Sequence, residues 1–388
     1  MKFFQIDDTR EILPIGCRLL MLCGLPRSGR VNRRFWLLCV FFFVFGQIPR
    51  FLIKIDEPIA LVRVGAEIVY STYMFLQLIA LYARRSDLYR LIDTLQKCVE
   101  NPYPDDVRAF ILITRDTINK SSVMYSKCFF AVCISYIIMP FMATSAVVVR
   151  NRRNQTGERE EYVMPTEMKS VTLFYYLDIR FNLLHYSLYF GAVSGLSVIG
   201  SLALCTKDVM DFSLIRTASM LFQATAQQIR NLPPGASQAK LEAIIHSHRS
   251  TLKCAAQLQN ALNPALLIQI TFCTAIWCLM LFYILLLGFT SKVMNVCLLL
   301  LVLTCETYSY CQLGTQFTSN AEEVLDELQQ LARYDQSIPI QKQIYFMIHR
   351  SQTRIELTAG KLFPVNIAQF SEIVKKSYSY YLVLKDIF

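Results

Sequence analysis

The chain has 388 residues, of which 54% are hydrophobic and only 18% charged, and its formal net charge is +10. Soluble domains carry about 25% charge, so this composition excludes a pair of ordinary soluble domains and points to an all-α membrane protein. In a chain this apolar the basic excess reads as membrane topology rather than nucleic-acid binding.

Residues 1–34 hold seven Lys/Arg and no A-x-A-like cleavage site, so no signal peptide is evident. Asp7-Asp8-Thr9 can cap a short amphipathic helix over 10–23, whose Ile12, Leu13, Ile15, Leu19, Leu20 and Leu22 suit the membrane interface. A spanning helix needs roughly 20 mostly apolar residues. Seven stretches qualify: 35–53, 61–83, 126–149, 171–204, 264–289, 293–313 and 364–384. After span four, helical stretches 207–230 and 237–262 flank the break Asn231-Leu232-Pro233-Pro234-Gly235. After span six, Ser319 to Ala332 reads as helix, Ile338-Pro339 restarts one towards Gly360, and Pro364 marks entry to span seven. The chain ends at Phe388, four residues past Leu384, so no cytoplasmic C-terminal tail is expected.

Orientation follows from the basic residues. Segments 1–34, 84–125, 205–263 and 314–363 hold 25 Lys/Arg, and the alternate segments 54–60, 150–170, 290–292 and 385–388 hold 8. The first set is therefore cytoplasmic, which puts the N-terminus inside and the C-terminus outside. The expected division is a cytoplasmic N-terminus with its amphipathic helix (1–34), spans one to four (35–204), cytoplasmic anchor helices (205–263), spans five and six (264–313), further anchor helices (314–363) and span seven (364–388). Asn154-Gln155-Thr156 is a glycosylation sequon in an outer loop, whereas Asn119-Lys120-Ser121 lies inside.

Enzyme chemistry finds no footing. No C-x-x-C, G-x-G-x-x-G, Walker A, H-E-x-x-H or G-x-S-x-G occurs, and His246 and His248 do not share a helix face. No metal or cofactor is expected. Polar groups inside spans are candidate functional sites, although Asp178, Arg180 and Arg63 also suit snorkelling, and Glu306 suits helix packing. Aromatic residues crowd the outer halves of spans two, three and four. Tyr70, Tyr73, Tyr136, Ile137, Phe141, Phe181 and Tyr186, with Ser71, Asn182 and His185 as polar contacts, are the candidate lining of a small-ligand cavity. Helix packing and an interfacial belt compete for the same residues. With no well-placed charge, a small neutral molecule, aromatic or heterocyclic, fits better than an acid or amine.

Seven spans suggest a G-protein-coupled receptor, but the N-terminus is expected inside, no outer loop carries cysteine, no D-R-Y follows span three, and Asn263-Pro264 precedes span five rather than forming N-P-x-x-Y in span seven. The C-terminal fifth decides for another family. Tyr310-Cys311-Gln312-Leu313-Gly314, Arg350-Ser351-Gln352, Thr358-Ala359-Gly360-Lys361-Leu362-Phe363, and Phe370 through Ser377-Tyr378-Ser379-Tyr380 to Leu384 together resemble the insect odorant receptors. One departure is Leu331-Ala332-Arg333-Tyr334, where many members carry a Trp-Tyr pair. The resemblance implies a non-selective cation channel of four subunits, formed with a shared odorant receptor co-receptor (Orco) in the plasma membrane of a sensory-neuron dendrite. It implies a volatile bound among spans two, three, four and six, an intracellular anchor domain, and a pore lined by span seven. There Val383 falls at the gate, Ile387 at an outer hydrophobic position and Asp386 near the mouth. A gustatory receptor of the same superfamily is the nearest alternative.

Overall fold

The apolar stretches fold into helices much longer than a bilayer is thick. The computed structural model describes residues 4–5, 11–27, 31–51, 58–153, 160–163, 177–233, 237–287, 293–331 and 338–387. The helices are α1 (Pro14–Leu22), α2 (Arg33–Phe42), α3 (Ile48–Phe51), α4 (Pro58–Ala83), α5 (Arg85–Val99), α6 (Asp105–Arg153), α7 (Leu183–Arg230), α8 (Gln238–Leu287), α9 (Val293–Leu331), α10 (Ile338–Ser351) and α11 (Ile367–Ile387). Strands β1 (Thr358–Ala359) and β2 (Phe363–Pro364) form a small antiparallel hairpin between α10 and α11. Among the described residues, five helices (α4, α6, α7, α8 and α9) are long and apolar enough to cross a membrane. At about 1.5 Å per residue, α6, α7 and α8 are each roughly 70 Å long, against about 30 Å of hydrocarbon. More than half of each therefore lies beyond the apolar layer. The helices run through the expected boundaries at 204/205, 263/264 and 313/314 without interruption.

Helix α7 is the hub. It packs on α9, α6, α8, α4 and α1, and most of its side chains between Ala203 and Ile229 are buried. The helical stretch expected over 207–230 is thus enclosed on nearly all sides, as a helix of a large core is.

Several expectations need adjustment. Of the apolar side chains expected to give α1 an interfacial face, Ile12, Leu13, Ile15, Leu19 and Leu20 are buried where α1 packs on α6 and α7, and Leu22 is exposed. The proposed cap at Asp7, Asp8 and Thr9 lies outside the described residues. Span one is broken, with a π-helical segment, Phe43–Gln47, separating α2 from α3. Pro49, which has no N–H to give to the preceding turn, stands two residues past its end. Span four was expected from residue 171, but the helix starts at Leu183, and 177–182 are not helical. The helix after Ile338 stops at Ser351 rather than continuing to Gly360. The hairpin occupies the remaining length, and both Gly360 (φ 64°) and Lys361 (φ 59°) take left-handed conformations that no helix accepts.

Candidate ligand-binding site

A cavity of about 480 Å³ lies among α4, α6, α7, α8 and α9. Each helix contributes residues at helical spacing: Glu67, Tyr70, Ser71 and Met74 from α4, Tyr125 to Tyr136 from α6, and Val302 to Ser309 from α9. Most of the lining is apolar or aromatic. Its charged groups among the described residues are two carboxylates, Glu67 and Glu306. Ser71 does not move freely, because its Oγ donates to the Ile68 carbonyl (3.2 Å) and accepts from Gln47 Nε2 (3.2 Å). The π-helical segment is thereby tied to the cavity wall.

Behind Glu306 lies a buried polar cluster. Lys207 Nζ donates to Glu306 Oε1 (2.7 Å), Gln269 Oε1 (2.5 Å) and Tyr73 Oη (3.1 Å), and it pairs with Asp208 Oδ1 at 3.0 Å. The single Tyr73 hydroxyl proton has two acceptors in reach, Gln269 Oε1 and Glu306 Oε1, the latter at 3.3 Å. Asp208 also accepts from Tyr125 Oη (2.6 Å) and Tyr310 Oη (2.9 Å). Arg84 makes a two-pronged pair with Asp211, at 2.9 and 3.3 Å. Burying such groups away from water is tolerated because each one has close polar partners. Glu306 and Tyr125 belong to both the cavity wall and the cluster, so the two are contiguous.

Helix α9 also carries the cavity's connection to α11. Tyr308 packs edge-on against Phe370, with ring centroids 5.4 Å apart, and Trp277 of α8 meets the same ring at 6.0 Å. Thr315 Oγ1 accepts the N–H of Ile367 (3.1 Å). At Gly314 a side chain would force the neighbouring backbone to shift, since an added Cβ would fall 1.9 Å from the Val365 carbonyl oxygen. The hairpin is docked on α8: Gln259 Oε1 accepts from Thr358 N (3.0 Å), and Asn263 accepts from the N–H of Gly360 (3.3 Å) and Lys361 (2.9 Å).

The profile of the family described as 7tm Odorant receptor matches residues 60–378. The chain belongs to the odorant receptor family. Two relatives from Drosophila melanogaster, odorant receptor 19a and putative odorant receptor 19b, are each 27% identical to it over 158 residues. That match covers 40% of this chain and 41% of each relative, so it spans about two fifths of their length. The insect olfactory receptor OR5 from Machilis hrabei, solved with eugenol, superposes with a TM-score of 0.75 at 15% identity, covering 97% of this chain and 98% of that one. A second structure of the same receptor gives 0.72 at 14% identity, covering 96% and 97%. The fold is therefore that of an insect olfactory receptor, and the chain is a multi-pass membrane protein.

In this odorant receptor the residues expected to bind ligand divide into two groups. Tyr70, Ser71 and Tyr136 line the cavity. Tyr73 is instead drawn into the polar cluster, where its hydroxyl finds Lys207 and Glu306. Asn182 is the N-cap of α7, and its Oδ1 accepts from the N–H of Leu184 (3.0 Å) and His185 (3.4 Å). His185 Nδ1 accepts from the Asp178 N–H (3.1 Å). Tyr186 is buried in a small cluster with Ile179, Tyr189 and Val193, and its hydroxyl bonds Thr144 Oγ1 (2.8 Å) and the Val163 carbonyl (3.0 Å). Phe141 and Phe181 are exposed, and Ile137 is half-buried outside the cavity lining. On α11, Val383 and Tyr380 are exposed. The side chains of Asp386 and Ile387, and the whole of Asn154, lie outside the described residues.

Sequence reasoning missed Lys207, Asp208, Asp211 and Arg84. The signal was a K-D-x-x-D run set in an otherwise apolar stretch, Val198 to Leu214.

Proposed function

We propose that this odorant receptor is the ligand-binding subunit of an odorant-gated, non-selective cation channel, assembled as a heterotetramer with the odorant receptor co-receptor. In this reading seven spans cross the membrane from a cytoplasmic N-terminus, and the extended helical ends form the anchor domain. α11 lines the pore, Val383 closes it as an apolar constriction, and Asp386 and Ile387 stand at its outer mouth. The observation that carries the proposal is the cavity itself, walled by the same helix, α9, that holds the first turn of α11.

The ligand is a small neutral volatile. Aromatic and apolar walls favour such a molecule, and Glu67 and Glu306 oppose an anion. The related receptor from Machilis hrabei was solved with eugenol, a small phenol of this chemical type. Tyr70, Ser71 and Tyr136 are the first contacts, while Phe181, Asn182 and His185 act by shaping the outer wall. Binding opens the channel to the extent that it favours the open state, and a preference of about 1–3 kcal/mol shifts opening roughly 5- to 150-fold. The shift passes from Glu306 along α9 to Tyr308, Gly314 and Thr315, and so to α11.

The test is whole-cell current evoked by a panel of volatiles, with and without the co-receptor, while G-protein signalling is blocked. Rapid cation current that requires the co-receptor and survives the block is expected. A response abolished by the block would overturn the channel reading.

A further inference from the structure

The cavity is not sealed on all sides. Helices α6 and α9 face each other across it, yet α6 packs on α7 and α1, whereas α9 packs on α7, α8, α10 and α11. Among the described residues no extended packing joins α6 to α9. Side chains along this seam touch both the cavity and the outside. On α6 they are Cys128, Val132 and Tyr136, the last two 48% and 46% exposed; on α9 they are Leu298 and Leu301, 54% and 60% exposed, and the exposed Cys305.

The position of the seam decides what it faces. Residues 128–136 and 298–305 lie inside the apolar stretches 126–149 and 293–313, so the opening stands at the depth of the acyl chains rather than the headgroups. Its rim carries no charged side chain among the described residues. A water-filled vestibule is lined by polar groups, whereas this one presents aliphatic carbon, thiols and one phenol. An opening of this kind admits molecules already dissolved in the bilayer.

We propose that the gap between α6 and α9 is a lateral portal through which the ligand enters from the lipid. The inference rests on the cavity being the odorant site, and it deepens that reading by naming the ligand class: neutral molecules that partition into hydrocarbon. The bilayer then acts as a concentrating phase. Among ligands of similar shape, potency measured against the aqueous concentration rises with membrane partitioning.

The portal has a kinetic signature that damage to the cavity does not share. Narrowing a passage slows entry and exit by the same factor and leaves the equilibrium affinity unchanged. The experiment is rapid application and washout of an activating volatile on receptor–co-receptor channels carrying Leu301→Trp or Leu298→Trp, the two most exposed large side chains of the rim. Leu301→Phe provides a smaller obstruction in case tryptophan impairs folding. Leu37→Trp, on the exposed face of α2, is the control. Activation and deactivation are expected to slow together by roughly three- to tenfold, with half-maximal concentration unchanged, and the control is expected to behave as wild type. Unchanged kinetics in all the portal variants would overturn the proposal, as would a shifted half-maximal concentration with normal entry. A wild-type channel silent to every volatile would instead defeat the reading of the cavity as an odorant site, an outcome separate from failure of the portal.

Discussion

Lys207 holds more of this molecule together than its place in the chain suggests. Within its cluster two cations, Lys207 and Arg84, stand against three carboxyls, Asp208, Asp211 and Glu306, so the formal balance is one negative charge. Removing the ammonium in Lys207→Met doubles that imbalance in a site where all five side chains are buried. Breaking a buried pair from one side costs about 3–5 kcal/mol, because the remaining charge has no water to turn to. A large drop in the melting temperature of the detergent-solubilised receptor is the expected outcome. Adding Glu306→Gln returns the formal balance to its wild-type value, so the double variant is expected to recover part of the loss. A double-mutant cycle on melting temperature measures that coupling; strictly additive losses would mean the two groups do not act as a pair. The residues of this cluster were only partly legible from sequence. Glu306 stood out as an acid inside an apolar run. Lys207 counted as one more basic residue of a cytoplasmic segment, because its partners Tyr73, Gln269 and Glu306 lie 134, 62 and 99 positions away. Periodicity carries no information about contacts of that range.

The same distinction runs through the helices and the hairpin. Apolar length reveals that α4, α6, α7, α8 and α9 are able to cross a membrane, because twenty apolar residues have few other uses. It does not reveal where α7 begins, since Asn182 ends an apolar run with an N-cap that only its backbone geometry discloses. Nor does it show why the motifs Tyr310 to Gly314 and Thr358 to Phe363 are built as they are. The structure supplies the reason: Tyr310 reaches Asp208, Gly314 admits the Val365 carbonyl, and Gly360 and Lys361 make the left-handed turn that seats the hairpin on Asn263. Together they fix the base of α11 to α8 and α9. Gly314→Ala therefore must push β2 and α11 away from α9. Overpacking of this kind costs about 1–3 kcal/mol, and the variant is expected to melt at lower temperature. Gly191→Ala is the matched control, because nothing lies within 4 Å of a Cβ there, and alanine in mid-helix is favoured over glycine by roughly 0.5–1 kcal/mol. Equal melting temperatures for the two variants would show that the base of α11 is not held by this contact.

Apolar surface is also exposed on a helix that is not long and apolar enough to cross a membrane. Helix α10 is too polar to cross a membrane: it contains Gln341, Lys342, Gln343, His349 and Arg350. Yet its Ile338, Tyr345 and Phe346 are 70%, 60% and 77% exposed, and Leu362 in the neighbouring hairpin is 70% exposed. Large apolar groups left together in water are a liability for a monomer and mark a surface that another chain covers. In the proposed tetramer that chain is the adjacent subunit, which makes α10 and the hairpin part of the anchor contact. Phe346 then belongs to the interface and contributes little to the fold of its own chain. Phe346→Glu is expected to leave the melting behaviour of the isolated receptor almost unchanged, within about 0.5 kcal/mol. It is expected to abolish co-purification with the co-receptor, because a carboxylate enclosed at an apolar contact has no partner. If the variant still co-purifies in full, the subunits are held elsewhere, and α10 faces water in the assembly as it does in the single chain. If melting falls as well, Phe346 supports its own chain, and the conservative Phe346→Leu then separates the two roles: a leucine restores the fold but fills an aromatic contact between subunits only in part.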